Sequence, residues 1–228
     1  MVAQPHVGTL REKPLHADLK RWCARPGDAF EVPLDGFVID IVRGDLLMEI
    51  QTRGFASLKR KLSALLDEHP MRIVHPVAAT RHIVKVDDDG VVLSRRASPK
   101  HGAVVDVFAE LVSFPGLLAH PNLTLDVLLV EQEEVRRFVP GKAWRRRGWV
   151  VEERHLLTVL DRTRVDTPAD LAVLVPISVP DEFTTGDLSA ALGRPRRLAQ
   201  QMVFCLRTLG IVEAVGKQGN SVVYRRRT

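Results

Sequence analysis

The spacing of apolar residues in the first 80 positions predicts a helix, three strands, a second helix and a fourth strand. Pro14 suits the first turn of a helix, and apolar residues recur at helical spacing up to Cys23, which predicts a helix over about 14–25. Shorter apolar runs predict strands at 29–33, 37–43 and 46–52, then an amphipathic helix from 55 to about 69 and a strand at 71–78. This order of elements indicates a mixed α and β domain.

The rest of the first 138 residues predicts more sheet. Strands at 81–86 and 91–96 flank the turn sequence Asp87-Asp88-Asp89-Gly90, and a helix broken near Pro115 precedes a strand at 123–135. We interpret residues 1–138 as one domain, 139–180 as a connecting region and 181–228 as a second, small domain. The basic cluster between Trp144 and Trp149 lies in the connecting region, where packing is the preferred role of both tryptophans and stacking on bases the alternative.

The predicted hairpin at 37–52 brings two carboxylates together. If Gly44 and Asp45 form a two-residue turn, Asp40 faces Glu49. Alternation then places Ile39, Ile41, Met48 and Ile50 on one face and Asp40, Glu49 and Gln51 on the other. Facing like charges repel unless a cation or a proton lies between them, and oxygen ligands suit Mg²⁺ or Mn²⁺. The alternative is a half-exposed hairpin in which each carboxylate pairs with an arginine.

Asp40, Glu49 and Gln51, on a hairpin within the order helix, three strands, helix, strand, resemble the PD-(D/E)XK nuclease superfamily over roughly residues 10–80. The resemblance implies that Asp40 and Glu49 ligate the metal and that Gln51 helps to orient the attacking water. It implies an α/β (α+β) restriction-endonuclease-like core with a mixed central sheet. The chain departs from the family pattern in having glutamine where lysine is usual and in lacking a proline before Asp40.

Two accessory catalytic positions are suggested by the same resemblance. Asp18 lies on the inward stripe of the first helix, where some relatives supply an extra carboxylate, although a capping or salt-bridged aspartate is the preferred interpretation. Lys59 and Lys61 lie on the helix after the hairpin, where a displaced catalytic lysine would sit. Solvated surface lysines are the alternative, and Lys59 is the residue we assign to the candidate catalytic set.

The last 45 residues predict a winged helix-turn-helix. Thr184 or Thr185 can cap a short helix that ends at Gly193, a second helix follows from about 195 to 209, and two strands flank a glycine-containing turn at 216–220. The resemblance implies that the second helix enters the major groove of DNA and that the wing meets phosphates. The candidate nucleic-acid-binding residues are Arg194, Arg196, Arg197, Gln200, Gln201, Lys217, Asn220 and Arg225.

Charge supports a nucleic-acid partner for this segment. The whole chain has a net charge of +5, but residues 184–228 alone carry eight basic and two acidic side chains. Residues 1–138 carry 18 basic and 19 acidic side chains, so the surplus is concentrated at the C-terminal end. A winged helix used for protein contacts is the alternative. The charge favours a nucleic-acid partner, which we expect to be DNA, and RNA is the alternative.

These features together predict a metal-dependent DNA endonuclease that hydrolyses phosphodiester bonds. The alternative is a catalytically inactive DNA-binding regulator of transcription or defence, which Gln51 favours. A small-ligand sensor is a third hypothesis, although no glycine-rich phosphate loop supports it. The sequence has neither a signal peptide pattern nor a long apolar run, so we expect a cytoplasmic protein with no membrane partner. Homodimers are common for both domain types, but no clear interface stripe is present. Cys23 and Cys205 are expected to be core residues.

Overall fold

A computed structural model describes residues 13–227, which form ten strands and six helices. The helices are α1 Pro14–Cys23, α2 Lys59–Leu65, α3 Phe108–Leu111, α4 Pro168–Ala172, α5 Thr185–Leu192 and α6 Arg196–Thr208. The strands are β1 Ala29–Leu34, β2 Phe37–Arg43, β3 Leu46–Ile50, β4 Met71–Val86, β5 Val92–Ala97, β6 Leu123–Phe138, β7 Trp149–Val165, β8 Glu182–Thr184, β9 Val212–Gln218 and β10 Ser221–Arg226. Short 3-10 segments precede α2 and α3 and follow α3.

Seven strands form one mixed sheet in the order β1-β2-β3-β4-β6-β7, with β5 paired to the far half of β4. Strands β1, β2 and β3 are antiparallel, β4 is parallel to both β3 and β6, and β7 is antiparallel to β6. The protein is therefore a mixed α/β fold with a mixed central sheet, as the order of elements predicts.

Strand β7 is the main difference from the predicted organisation. Residues 149–165 were expected in a connecting region, but they form a 17-residue strand that pairs with β6 along most of its length. Val165 is the one buried residue of this strand and the others are half-buried or exposed, so no apolar stripe marks it. Only its pairing with a distant strand gives it regular structure.

The hairpin of β2 and β3 has the predicted register at its turn. Arg43 pairs with Leu46, Val42 with Leu47 and Ile41 with Met48. The ladder ends there, so the predicted pair of Asp40 with Glu49 does not form. The backbone N–H of Ile50 instead donates to the Asp40 carboxylate at 2.7 Å.

Helices α1 and α2 cover opposite faces of this hairpin. Leu15 and Leu19 of α1 belong to a core cluster with Met48, whereas Leu62 of α2 belongs to a larger cluster with Leu47. Adjacent strand residues point to opposite faces, so the two helices enclose β3 from both sides.

Ile39 corrects one part of the predicted alternation. It was expected on one face with Ile41, but it is buried in the larger cluster while Ile41 lies in the smaller one. The side chain of Asp40 interrupts the ladder between them, so regular alternation does not continue through this position.

The C-terminal unit contains a three-stranded antiparallel sheet in the order β8-β10-β9, with α5 and α6 between β8 and β9. Thr184 caps α5, since its hydroxyl accepts from the backbone N–H groups of Gly186 and Asp187, and Asp187 in turn accepts from the Thr184 N–H. The apolar face of α6 lies in the same buried cluster as Phe108 and Leu111 of α3. Residues 13–227 include no helix that is long and apolar enough to span a membrane.

Candidate functional site

Asp40 lies at the point where β2 leaves β3, facing helix α1. Its Oδ2 accepts the Ile50 N–H at 2.7 Å and lies 3.2 Å from His16 Nε2, while its Oδ1 lies 4.0 Å from Lys20 Nζ. Burial opposes ionisation, but the hydrogen bond and charge of His16, the Ile50 N–H and Lys20 outweigh it, so the pKa of Asp40 is lowered. Asp40 is therefore ionised at neutral pH.

Glu49 is buried on the next strand, facing helix α2. Its Oε2 lies 2.7 Å from Lys61 Nζ, which also donates to the carbonyl oxygen of Val38 at 2.7 Å. Burial and, secondly, the negative charge of Asp40 raise the pKa of Glu49, Lys61 acts in the opposite direction, and the net result is a pKa of about 7. Burial beside a second carboxylate therefore makes Glu49 difficult to ionise.

The second oxygen of Glu49 has no protein partner. Oε1 is buried and makes no hydrogen bond with any part of the chain that the structure describes. A buried, unpartnered carboxylate oxygen is costly, and a divalent cation beside Asp40 and Glu49 would satisfy it.

The donor set suits a hard cation that keeps much of its water. Within residues 13–227 no group of three or more His, Cys, Asp or Glu side chains has the geometry of a metal site. Mg²⁺, however, is usually bound through one or two carboxylates with several waters. Asp40 and Glu49 supply that number of carboxylates, but they face helices on opposite sides of the hairpin and not one common space as the sequence predicts.

Gln51 does not point its amide at the carboxylates as a water-orienting group would. Its Nε2 donates to the carbonyl oxygens of Arg53 at 2.6 Å and Gly54 at 3.2 Å, and it lies 3.2 Å from Ser57 Oγ. The loop after β3 is also held by Glu110, whose Oε2 accepts the Gly54 N–H at 2.8 Å. In this structure Gln51 therefore shapes the loop.

The carbonyl oxygen of Gln51 also takes part in holding this loop, because it lies 2.6 Å from Nδ1 of the buried His75 on β4. Burial lowers the pKa of His75, against the effect of this hydrogen bond. A neutral imidazole that donates through Nδ1 follows from this environment.

Of the accessory positions named from the sequence, Lys61 lies beside a carboxylate, whereas Asp18 and Lys59 do not. Asp18 turns toward β7, where it accepts the backbone N–H of Leu156 at 2.9 Å and pairs with Arg21, so the salt-bridged interpretation applies. Lys59 is exposed and contacts neither carboxylate, whereas Lys61, two residues further along the helix, lies on the face directed at Glu49.

His16 and Lys20 were missed by the sequence analysis. They lie four residues apart on α1, next to the buried stripe of Leu15 and Leu19, so both side chains point toward the hairpin. A pair of basic residues at helical spacing beside an apolar stripe was the available signal.

The predicted nucleic-acid-binding residues divide into two groups. Arg194 donates to the carbonyl oxygen of His101 at 2.9 Å and lies 3.5 Å from Asp106. These contacts connect the turn between α5 and α6 to the segment before α3. Arg196 contacts Thr185 and Ser221, both at 3.2 Å, and Arg225 pairs with Glu182. These three arginines have structural partners.

The second group is accessible. Arg197, Gln200, Lys217 and Asn220 are exposed, Gln201 is half-buried, and none of the five makes a side-chain hydrogen bond or ion pair within the described part of the chain. Arg197, Gln200 and Gln201 lie in the first turns of α6, and Lys217 and Asn220 lie around the turn between β9 and β10. The structure brings these side chains to two neighbouring elements of one small unit.

The fold and site define a mixed α/β protein with a carboxylate pair held between two helices. Residues 13–166, more than half of the chain, match the model of the family described as "Domain of unknown function (DUF8091)", and the chain belongs to that family. The chain is also similar to an "Uncharacterized protein" of Treponema pallidum (strain Nichols), with 29% identity over 221 residues that cover 96% of this chain and 87% of the relative. No solved structure matches the chain.

Proposed function

We propose that the protein is a metal-dependent DNA endonuclease in which Asp40 and Glu49 hold Mg²⁺ or Mn²⁺ and the C-terminal unit holds DNA. The observation that carries the proposal is the buried, unpartnered Oε1 of Glu49 beside a second carboxylate. Neither a core hydrophobic role nor a complete ion pair accounts for that oxygen.

The order of elements supports the resemblance to the PD-(D/E)XK nucleases. Helix α1, strands β1 to β3, helix α2 and strand β4 follow one another as the resemblance requires, and the hairpin carries the acidic pair at its open end. The resemblance to these nucleases rests on this arrangement and on the residues Asp40, Glu49 and Gln51.

Each side chain has a definable role in this proposal. Asp40 and Glu49 bind the cation, which when present supplies water activation and charge compensation on the phosphate. Lys61 favours the ionised form of Glu49 and brings a positive charge to the site. Gln51 acts as a positioning residue for the loop that borders the site.

The C-terminal unit supports the DNA-binding part of the proposal. Its order of elements, β8, α5, α6, β9 and β10, is that expected for a winged helix-turn-helix, with α6 as the recognition helix. Arg197, Gln200 and Gln201 present bidentate donors and acceptors suited to base edges, and Lys217 suits phosphate.

Cleavage by the full chain tests the proposal. Plasmid and linear DNA are incubated with protein and Mn²⁺ or Mg²⁺, and we expect Asp40→Asn and Glu49→Gln to lower the cleavage rate at least about a hundredfold without weakening DNA binding. Asp45→Asn is the matched control, since Asp45 is an exposed aspartate in the turn of the same hairpin. Equal cleavage by Asp40→Asn and Asp45→Asn would reject the assignment.

A DNA-binding regulator without catalysis is the second candidate. It is favoured by the basic partners that already surround the carboxylates, His16 and Lys20 at Asp40 and Lys61 at Glu49, and by the engagement of the Gln51 amide in its loop. Under this alternative, calorimetric titration with Mn²⁺ gives no binding heat that depends on Glu49, and DNA affinity is unchanged by chelator.

A further inference from the structure

A cleft of about 460 Å³ opens beside the loop that follows β3. Its walls come from the start of α1, from that loop, from the middle of β4 and β6, and from the start of β7 and the segment before it. The volume is in the range of pockets that enclose small ligands. The cleft is separate from Asp40 and Glu49, neither of which lines it.

The cleft is strongly basic. Five cationic side chains line it, namely Lys13, Arg53, Arg81, Arg146 and Arg154. The two acidic residues in its wall are engaged elsewhere, since Glu152 pairs with Arg137 at 3.1 Å and Glu153 with His155 at 3.0 Å.

Three of the cleft's cations have no counterion among residues 13–227. Lys13, Arg53 and Arg146 make no ion pair within the described part of the chain. Arg154 differs, because its Nε lies 3.0 Å from the buried Glu134. The positive potential of the cleft is therefore carried chiefly by Lys13, Arg53 and Arg146, and it attracts an anion.

Two polar groups in the wall make no hydrogen bond to another described residue. Gln132 on β6 is only 4% exposed, and it lines the cleft. The Nε of Arg81 on β4 is buried and has no hydrogen-bond partner in the described chain. An unpaired buried Nε costs stability, and a molecule bound in the cleft would offer a polar partner to both groups.

We propose that this cleft binds a phosphorylated nucleoside, with the phosphate at Arg53, Arg146 and Lys13 and the base or sugar at Gln132. An amide offers one donor group and one acceptor to a base edge, and arginine forks match phosphate oxygens. Apolar residues such as Pro76, Val150 and Val151 supply the walls for a ring system. The ligand is either a free mononucleotide or the 5′-phosphorylated end of a strand, and neither depends on DNA cleavage.

Calorimetric titration of the full chain with adenosine 5′-monophosphate, adenosine and inorganic phosphate tests the proposal. We expect the mononucleotide to bind at least about tenfold more tightly than either fragment, with an affinity that falls as salt rises. Arg53→Ala, Arg146→Ala and Gln132→Leu each weaken binding at least about threefold to tenfold. Arg145→Ala is the matched control, because Arg145 lies against the Trp144 ring and does not line the cleft.

A second titration separates the two sources of the phosphate. Oligonucleotides that carry a 5′-phosphate or a 5′-hydroxyl bind differently if a strand end is the ligand, and equally if a free mononucleotide is the ligand. The proposal is overturned if adenosine 5′-monophosphate shows no binding at millimolar concentration, or if Arg146→Ala and Arg145→Ala have the same affinity as the unmodified chain.

The cleft and the cleavage site can fail independently. Glu49→Gln is expected to keep mononucleotide binding, whatever its effect on DNA. Loss of mononucleotide binding in Gln132→Leu with a normal unfolding transition supports the cleft, since Gln132 makes no hydrogen bond to another described residue whose loss would disturb the fold.

Discussion

Lys61 Nζ on α2 lies 2.7 Å from Glu49 Oε2 on β3, the strand that this helix covers. The ion pair does not restore an ordinary carboxylate, because burial and the charge of Asp40 raise the pKa of Glu49 to about 7. The proposed metal ligand therefore titrates close to neutral pH.

Metal binding should depend on pH through this group. A protonated carboxyl binds Mn²⁺ poorly, so the affinity should rise as pH increases through about 7 and level off above it. Lys61→Ala removes a charge that lowers the pKa of Glu49, so it should move the midpoint to higher pH. Calorimetric titration with Mn²⁺ between pH 6 and about 8.5 measures the midpoint.

Lys59→Ala is the matched control for that experiment. Lys59 is exposed on the same helix and contacts neither carboxylate, so its removal should leave the midpoint in place. The same displacement in both variants would show that the lysines act through general charge rather than through the contact with Glu49.

The stability of the metal-free protein should change in the opposite direction with pH. Because folding raises the pKa of Glu49 above its usual 4.5 to about 7, the folded state binds the proton more tightly than the unfolded state. This contribution is fully present below about pH 4.5 and is lost as pH rises through about 7. Glu49→Gln should remove this pH dependence. Its effect on the free energy of unfolding should therefore be more favourable at pH 8 than at pH 5 by about 1–2 kcal/mol, which urea unfolding at the two pH values would measure.

Glu134 should be the most sensitive acidic residue in the sheet. Only 2% exposed, it accepts from Arg136 at 2.6 Å and from Arg154 at 3.0 Å, with Arg81 at 3.9 Å. Burial opposes its ionisation, but these arginines outweigh it and lower the pKa of Glu134. Glu134→Ala leaves three partly buried arginines without this carboxylate, so we expect a loss of about 1–3 kcal/mol in the free energy of unfolding.

Glu152→Ala provides the comparison for that measurement. Glu152 pairs with Arg137 on the surface of the neighbouring strands, and exposed pairs contribute about 0–1 kcal/mol. Equal urea midpoints for the two variants would contradict the structural role assigned to Glu134.

Substitution of one residue from each group in the C-terminal unit should distinguish an effect on DNA binding from an effect on stability. Arg197→Ala should weaken DNA binding about tenfold, with a smaller salt slope if the contact is to phosphate, and should leave the melting temperature unchanged. Arg194→Ala removes contacts to His101 and Asp106, so it should lower the melting temperature and weaken DNA binding less than Arg197→Ala. Fluorescence anisotropy at two salt concentrations measures DNA binding by the two variants, and thermal unfolding measures their melting temperatures. A larger loss of DNA binding in Arg194→Ala than in Arg197→Ala would exclude α6 as the DNA-contacting helix.

The local elements of the proposed site were predictable from the sequence. Gly44 and Asp45 specify a two-residue turn, and the observed pairs Ile41–Met48 and Val42–Leu47 are those the turn dictates. The acidic triplet at 87–89 is also a turn, since Asp87 Oδ1 accepts the N–H groups of Asp89 and Val91. Such features depend on neighbours within a few residues.

Features that depend on distant pairing were not predictable. Arg81, Glu134 and Arg154 come from three strands, and their meeting depends on the registers of β4 with β6 and of β6 with β7. The half-buried and exposed residues of β7 follow no period of two, so nothing in the sequence indicated the sheet position that the strand occupies. The same limit applies to Gln132, whose burial follows from that register.

Cys23 and Cys205 behave as core residues, as expected. Both are buried, and burial raises the pKa of each thiol to about 12. Neither thiol is therefore available as a thiolate nucleophile at neutral pH.

The buried cluster that joins α6 to α3 has a consequence for how the chain loses its structure. Leu198 and Met202 share one apolar interior with Phe108 and Leu111, so the interior of the C-terminal unit is continuous with that of the large sheet. Heating should therefore melt both parts in a single cooperative transition. A truncated protein that stops at residue 166, where the family match ends, would uncover that interior and aggregate rather than serve as an isolated domain.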